Sequence, residues 1–246
     1  MEAFQAITAR QGVLRYRPTP VEPARIDHVL RAAVAAPSTA NSQPWAFVVV
    51  TEPEWTRRLA DYLLRTQREH VLRGLLEAPE PFIDHLMGLY DGLIDAPCFI
   101  VFCRRQRVAL APAPEREQAP APERGQASPQ YAAVVRDWDL CSLGAAMANL
   151  MIAATALGLG TRWFGNPMLD PAPLQAMLGI PDGVEIVAVT PLGYHDEPAK
   201  ARPIQPLTAL TGFQRGDKYK LAALLQGKLA LEDVVHYNRW RDEPQD

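Results

Sequence analysis

The feature that most constrains the fold is the stretch at positions 140–159, which contains no charged side chain. A helix of this length and apolarity is long enough to cross a bilayer. However, the stretch also contains serine, glycine, asparagine and threonine together with six alanines. Small and polar residues of this kind favour a helix over 137–160 that is buried at the centre of a fold, or at a subunit interface, over a membrane span.

Three short runs rich in β-branched and aromatic residues predict buried strands. Long helical segments separate these runs, an order that favours an α+β fold or a three-layer α/β fold. The predicted strands are Trp45–Val50, Cys98–Cys103 and Val184–Leu192; the predicted helices are one from Pro23 to a stop at Pro37, two or three surface helices over 54–94, and a short one over Pro173–Leu178 capped by Gly179.

A proline-rich segment interrupts this pattern. The octapeptide APAPEREQ at 111–118 is followed by APAPERGQ at 119–126, and five prolines fall between positions 112 and 129. Such a segment offers no apolar face to a core, so we expect a disordered insertion at about 109–129 within a single domain that spans 1–246. A binding role for its prolines is a weaker alternative. A helical extension is expected from about residue 213.

Charge and cysteine content restrict the function classes. The formal net charge is −3, so there is no basic excess to attract nucleic acid or an anionic membrane. The first residues lack the basic and apolar regions of a secretory signal, which predicts a cytoplasmic protein. Cys98 and Cys103 should point to opposite faces of their strand. The three cysteines and five scattered histidines therefore predict neither a disulfide nor a metal site.

Two segments have compositions suited to ligand binding. The loop APSTANSQPW at 36–45 joins a helix to a strand and is rich in short hydrogen-bonding side chains stiffened by two prolines. The segment GLGTRWFGNP at 158–167 contains two close glycines. Two close glycines are part of the dinucleotide-binding fingerprint, but these follow a helix and lack the third glycine of that motif. The segment therefore does not predict a dinucleotide-binding site. The loop residues alone would also fit a turn that only caps its own backbone.

Taken together in their order and spacing, several segments resemble the FMN-dependent nitroreductase family. The resemblance spans about 10–205 and implies a three-layer α/β/α fold, with a central, mostly antiparallel sheet and a long buried central helix. The segments are RQGVLRYRPTPV at 10–21, PSTANSQPW at 37–45, AMANLMIAATALGLGT at 146–161, LGIPDGVEIVAVTPLGYHDE at 178–197, and Lys200-Ala201-Arg202.

The resemblance implies an FMN site between the two subunits of a homodimer. FMN needs cations for its phosphate and short polar groups along its polyol chain. The implied phosphate ligands are Arg10, Lys200 and Arg202, next to Gln11 and Gly12 of the opening run; the implied loop ligands, from the partner subunit, are Pro37, Ser38, Thr39 and Asn41. Trp163, Phe164 and Gly165 would lie along the isoalloxazine, with a backbone N–H near flavin N5. Trp163 and Phe164 would alternatively be core aromatics.

The chain departs from the family pattern at several positions. Gly12 stands where a serine is usual, Gln11 where arginine is frequent, and Ala148 where glutamine is customary. Leu14 occupies the position of a lysine or arginine that commonly faces the flavin N1 and O2 edge. A cation there stabilises the reduced flavin, so its absence should lower the reduction potential unless another group compensates.

The function implied by the resemblance is an oxidoreductase that needs no protein nucleophile. Flavin N5 would accept a hydride from NADH or NADPH and then pass reducing equivalents to a small organic acceptor, nitroaromatic or quinone-like, in ping-pong order. The alternatives are a flavin-binding protein without turnover, a specialised dehydrogenase or dehalogenase on the same fold, and an alanine-rich helical or membrane-associated protein. Residues 65–94 and the segment VVHYNRW would influence substrate choice.

Overall fold

The computed structural model describes residues 1–75, 77–105 and 129–195. Within them, helices cover both faces of a four-stranded sheet. The helices are α1 (Ala3–Ala9), α2 (Pro23–Val34), α3 (Pro53–Thr66), α4 (Glu80–Gly88), α5 (Pro129–Ala156) and α6 (Ala172–Leu178); the strands are β1 (Trp45–Val50), β2 (Cys98–Arg105), β3 (Gly160–Thr161) and β4 (Val184–Gly193). A π-helical stretch, Gln67–Leu75, continues α3.

The sheet has the strand order β1-β2-β4-β3, and all three pairings are antiparallel. The predicted antiparallel sheet is therefore confirmed. Of the three predicted strands, β1 has the predicted bounds, β2 is two residues longer and β4 is one residue longer at the C-terminal end. β3 was not predicted, because two residues provide no alternating pattern. β2 and β4 are buried on both faces, which explains why their sequences are nearly continuous apolar runs.

One face of the sheet is covered by α2 and α5. Side chains at helical spacing on α5 pack against the inner side of α2 and against alternate residues of β2. The α5 residues are Leu143, Ala146, Leu150 and Ala154; those of α2 are Ile26, Val29 and Ala33; those of β2 are Cys98, Ile100 and Phe102. This layer contains the largest block of small residues in the sequence, which lets the two helices and the sheet approach closely.

The opposite face of the sheet packs against α3, α6 and the run after α1. Its β2 residues are Phe99, Val101 and Cys103, the alternate set. Cys98 and Cys103 thus lie on opposite faces, as predicted, and neither forms a disulfide. Burial raises the pKa of the Cys98 thiol to about 12 and that of Cys103 to about 11. Both thiols therefore remain protonated and behave as apolar packing groups.

The central helix α5 is longer than predicted, because it begins at Pro129 rather than near Asp137 and ends at Ala156 rather than Gly160. Its first turns are mostly exposed although they contain Ala132, Ala133, Val134 and Val135, so they present no buried stripe of apolar side chains. Ala132–Ala156 is long and apolar enough to cross a membrane by length and composition, and 44% of its most apolar window is buried. Its packing against α2 and the sheet is that of a core helix, which confirms the long central helix.

The remaining expectations have mixed outcomes. The segment 54–94 forms helices as predicted, although Leu59, Leu63 and Phe82 are fully buried rather than at the surface. Gly179 ends α6 with φ 64°, the left-handed cap that was predicted. The proline-rich insertion and the C-terminal extension lie outside the described residues, except that Pro129, placed at the end of the insertion, is the first residue of α5.

Candidate functional site

The opening run after α1 lies beside the edge strand β3. The Val13 N–H donates to the Thr161 carbonyl at 2.9 Å, and Gly12 pairs with Thr161 in a parallel bridge. The approach is close because β3 begins with glycine. A Cβ on Gly160 would lie 2.8 Å from Val13 Cγ2 and 2.7 Å from His195 Cδ2. The glycine of GLGT therefore lets the opening run, and the residues predicted there, dock onto the sheet.

Arg162 follows directly after β3 and extends its guanidinium toward Gly12. Its Nη1 lies 3.2 Å from where a Gly12 Cβ would stand. Nη2 donates to the Tyr90 hydroxyl at 3.1 Å, and the guanidinium carbon lies 5.2 Å from the centre of the Tyr90 ring and 5.7 Å from that of Phe164. The positive charge of Arg162 also affects the buried Tyr16. Burial raises the pKa of Tyr16, and the positive charge of Arg162 opposes that rise.

Trp163 and Phe164 lie in different environments. The Trp163 side chain is 46% exposed, with its ring edge 4.0 Å from the Cβ position of Gly144 on α5. Phe164 is 3% exposed and packs in the core near Tyr90. The Phe164 N–H and carbonyl both pair with Val189 at 2.9 Å. The ring of Phe164 therefore matches the core-aromatic alternative, and its N–H is already used within the sheet. This leaves Trp163 and Gly165 as the accessible members of the segment.

The loop between α2 and β1 is held in an uncommon backbone conformation. Ala40, Asn41 and Gln43 have φ values of 51°, 52° and 45°, the left-handed region that non-glycine residues rarely adopt. The Ser38 hydroxyl accepts a hydrogen bond from the Gln43 N–H at 3.0 Å, which helps to fix this turn. Strained backbone of this kind is concentrated at functional sites, because the surrounding structure must maintain it.

The same loop is anchored on the central helix. The Thr39 N–H donates to the Ser142 hydroxyl at 3.4 Å, and Ser142 in turn donates to the Trp138 carbonyl at 2.8 Å. Gly144, which borders the Trp163 ring, lies two residues further along α5. One turn of α5 therefore contacts two of the predicted site segments. Neither Ser142 nor Arg162 was predicted, because a single serine or arginine within an apolar motif carries no pattern of its own.

Not every predicted residue joins this cluster. Arg10 is half-buried at the C-terminal end of α1, and Gln11 is exposed beside it. Leu14 is half-buried and packs against the core on the α3 face of the sheet. Pro37 and Asn41 are exposed on the loop. Among described residues, no recorded hydrogen bond or ion pair joins the loop to the opening run. Lys200 and Arg202 lie outside the described residues.

The unpartnered groups here suit a ligand with an anionic end, hydroxyl groups and a flat ring. The Ser42 and Thr161 hydroxyl oxygens are buried without a hydrogen-bond partner, an arrangement that folded proteins usually avoid. Within the described ranges, neither Arg10 nor Arg162 forms an ion pair with a carboxylate. Trp163 offers an exposed aromatic surface. The described residues contain no group of three or more His, Cys, Asp or Glu side chains placed to hold a metal ion. These groups fit FMN.

A separate cleft lies at the other end of the sheet. It has a volume of about 340 Å³ and is lined by Arg104, Arg136 and Glu185 among others. Its charges are already paired: Glu185 accepts from Arg104 at 2.9 Å and from Arg136, while Arg104 also reaches the fully buried Asp139 at 3.4 Å. None of the predicted site residues that the structure describes lines this cleft.

Comparison with known proteins identifies the family of the chain. The model of the Nitroreductase family matches residues 7–194, a range that includes the opening run, the loop, α5 and the segment around Arg162. The chain belongs to the nitroreductase family. It is an oxidoreductase enzyme, as the sequence predicted.

Two relatives illustrate the range of the nitroreductase family. The chain is 30% identical over 200 residues to the NADH dehydrogenase of Thermus thermophilus, an alignment that covers 80% of this chain and 88% of the relative. It is also 30% identical over 207 residues to the 5,6-dimethylbenzimidazole synthase of Rhodospirillum rubrum, covering 83% and 85%. Proteins with different named activities are thus about equally similar to this nitroreductase-family chain.

The fold is shared with solved structures. Oxidised iodotyrosine deiodinase, in a structure with FMN and 3-iodo-L-tyrosine bound, superimposes with a TM-score of 0.61 at 16% identity, covering 97% of this chain and 100% of the other. At this level of identity the similarity establishes the architecture. It confirms the predicted nitroreductase fold.

Proposed function

We propose that this nitroreductase-family protein is an FMN-dependent oxidoreductase that transfers reducing equivalents from NADH or NADPH to a small organic acceptor, nitroaromatic or quinone-like. The observation that carries the proposal is the pair Arg162 and Trp163, within a chain that matches the family over 7–194. Arg162 reaches toward Gly12 and forms no ion pair among the described residues, and Trp163 exposes its ring. When bound, FMN supplies the redox chemistry by taking a hydride from the nicotinamide and reducing the acceptor in a second, ping-pong step.

The chain's own residues bind and orient the cofactor. Arg10, with Lys200 and Arg202, holds the phosphate, for which the guanidinium fork is well suited. Trp163 and Gly165 border the flat ring, while Phe164 supports them from the core. No side chain needs to act as a nucleophile, and the buried thiols of Cys98 and Cys103 are not available for that role.

In this proposal, the loop residues Ser38, Thr39 and Asn41 bind the FMN of the second subunit of a homodimer. A dimer is supported by the apolar surface of α1, where Phe4 is 76% and Ile7 51% exposed. α1 packs against α5, the helix that also anchors the loop. Large apolar side chains exposed together on one helix are typical of a surface that a partner covers.

The acceptor is the least constrained part of the proposal. The similarity to a synthase and to a deiodinase fold supports a specialised reaction on the same cofactor as a second candidate. The packing of Leu14 against the core supports a third, an FMN-binding protein without turnover, because the position lacks the usual cation. We expect the enzyme to act in the cytoplasm.

An absorption spectrum of the purified protein tests the cofactor. We expect the peaks of oxidised flavin and the release of FMN upon denaturation. Steady-state oxidation of NADH and NADPH, each with a nitroaromatic and a quinone acceptor, then tests turnover. A colourless protein that does not bind added FMN would overturn the proposal. Bound FMN without oxidation of either nicotinamide would instead favour the non-turnover candidate, and nicotinamide oxidation without reduction of these acceptors would favour the specialised reaction.

A further inference from the structure

Arg162 is a half-buried cation whose only recorded neighbours in the described ranges are neutral. Its guanidinium donates to the Tyr90 hydroxyl and lies against the Tyr90 and Phe164 rings. Two other half-buried arginines are paired with carboxylates: Arg68 contacts Glu80 and Asp84, and Arg104 contacts Asp139 and Glu185. Half-buried Arg10 resembles Arg162 in having no ion pair among the described residues, but it has no recorded aromatic neighbour there. A cation removed from water is costly unless an anion or hydrogen bonds replace the water. The position of Arg162 therefore calls for an anionic ligand.

The missing side chain at Gly12 makes room for this guanidinium. Nη1 lies 3.2 Å from where a Cβ would stand, a separation at which a side chain at position 12 would push against it. Gly12 has no positive φ and is exposed, so neither backbone conformation nor burial requires glycine there. The contact that a side chain at position 12 would disturb is the one with the Arg162 guanidinium.

Leu14 offers no charge at the same surface. Its side chain packs against the core with Val13 and Tyr16 as neighbours in the same cluster. The cation that the family pattern has at position 14 is therefore absent, and Arg162 reaches toward Gly12 of the same run from the end of β3. Two departures from the family pattern thus concern Arg162: Gly12 leaves space for its guanidinium, and Leu14 lacks the charge that Arg162 carries.

We infer that Arg162 contacts the flavin ring and supplies the positive charge that Leu14 does not, so that it holds the reduced, anionic ring more tightly than the oxidised ring. This inference rests on the proposed FMN function. The ring is favoured over the phosphate because the Arg162 guanidinium lies against the Tyr90 and Phe164 rings, and because Arg162 directly precedes the exposed Trp163. A hydrogen bond from a guanidinium is stronger to the anionic ring than to the neutral, oxidised ring.

The test is the reduction potential of the FMN-loaded protein. Arg162→Met keeps the length of the side chain and removes the charge. We expect the affinity for reduced FMN, relative to oxidised FMN, to fall at least about tenfold, which corresponds to a midpoint potential lower by about 30 mV for a two-electron couple. Arg162→Lys keeps the charge and should recover part of the loss. Gly12→Ala displaces Nη1 and should also lower the midpoint potential, but by less than Arg162→Met does.

Arg58→Met is the matched control. The Arg58 guanidinium also lies over an aromatic ring, that of Trp55 at 4.6 Å, but on α3 and away from the site. Its replacement should leave the potential unchanged. Binding of FMN and of riboflavin, which lacks the phosphate, separates the two ends of the cofactor.

The outcomes distinguish the inference from the function. Wild-type protein that fails to bind FMN overturns both. An unchanged potential in Arg162→Met protein that retains FMN overturns the inference alone. Weaker FMN binding with unchanged riboflavin binding and an unchanged potential would assign Arg162 to the phosphate and would also overturn it. If Arg162→Met does not fold, the midpoint potentials of the Arg162→Lys and Gly12→Ala variants test the inference instead. Potentials equal to that of wild type in both variants would contradict it.

Discussion

At the scale of single residues, the loop after α2 concentrates backbone strain. Ala40, Asn41 and Gln43 are three of the four non-glycine residues with positive φ in the described part of the chain. The left-handed conformation costs a residue with a Cβ about 1–2 kcal/mol. The loop is therefore maintained by its surroundings, including the Ser38 and Ser142 hydroxyls.

Ala40→Gly should relieve this strain. Ala40 is exposed, so no packing is lost, and we expect the free energy of unfolding to rise by about 1 kcal/mol, because the strain relief exceeds the added flexibility of the unfolded chain. Urea denaturation measures the change. Ala35→Gly is the control, since Ala35 has φ −76° and no strain to relieve; it should be slightly destabilising. Equal effects at the two positions would argue against strain at Ala40.

Gly160→Ala tests the close approach of the opening run. The added methyl group would lie within 3 Å of Val13 and His195, so we expect a loss of about 1–3 kcal/mol in the free energy of unfolding. Gly88→Ala on α4, where nothing lies within 4 Å, should cost nothing or stabilise slightly. Chemical denaturation of both variants compares them. A Gly160→Ala protein as stable as wild type would show that the run is not held tightly against β3.

The roles of individual residues were the hardest feature to predict from the sequence. The loop motif indicated a ligand site, because short polar side chains between prolines are visible in the sequence. Arg162 was overlooked, since its significance depends on an absent side chain at Gly12, 150 positions earlier in the chain. Phe164 and Trp163 are adjacent and both aromatic, so only their burial separates a core residue from an exposed one.

At the scale of elements, an ion cluster ties β4 to the end of β2 and the start of α5. Burial alone would raise the pKa of Glu185, but hydrogen bonds from Arg136 and Arg104 outweigh it and lower that pKa from its ordinary value of 4.5. A carboxylate with a lowered pKa stabilises the fold fully above its unfolded pKa, and this contribution disappears as pH falls through the folded value.

Glu185→Gln should therefore reduce the free energy of unfolding by about 1–2 kcal/mol at pH 7. The difference from wild type should shrink as pH falls below 4.5, where the unfolded chain takes up the proton, and should vanish as pH passes through the lower pKa of Glu185 in the folded protein. Denaturation curves across this range measure it. Glu80→Gln is the control, because Glu80 also contacts two arginines but at the surface; its effect should be smaller. A pH-independent difference would exclude the ionic contribution.

The elements themselves were largely predictable. β2 and β4 have continuous apolar sequences because both of their faces are covered, and Gly179 marked the end of α6. The start of α5 was placed too late, because its first turns bury little and so carry no apolar periodicity. β3 was missed because its two residues are defined by pairing with β4 rather than by their own composition.

At the scale of the whole molecule, the proposed dimer is testable through α1. Phe4→Glu combined with Ile7→Glu places charges on the exposed apolar surface, and we expect the dimer to dissociate and FMN to be released, since each site would lose the partner's loop. Sedimentation velocity and the flavin spectrum report the two effects. Leu169→Glu, an exposed apolar position on the α3 side, should change neither.

A dimer that keeps FMN in the Phe4→Glu, Ile7→Glu protein would contradict this interface. A monomer that keeps FMN would instead show that one chain is sufficient for the cofactor site, and that the loop serves another purpose.

The single turn of α5 that contacts both the loop, through Ser142, and the Trp163 ring, through Gly144, has a consequence for such a dimer. If the loop completes the neighbour's site while Trp163 borders its own, each α5 is shared by two active centres. A small displacement of this helix upon binding at one centre would then be felt at the other. The two halves of the enzyme would communicate, and their occupancies would not be statistically independent.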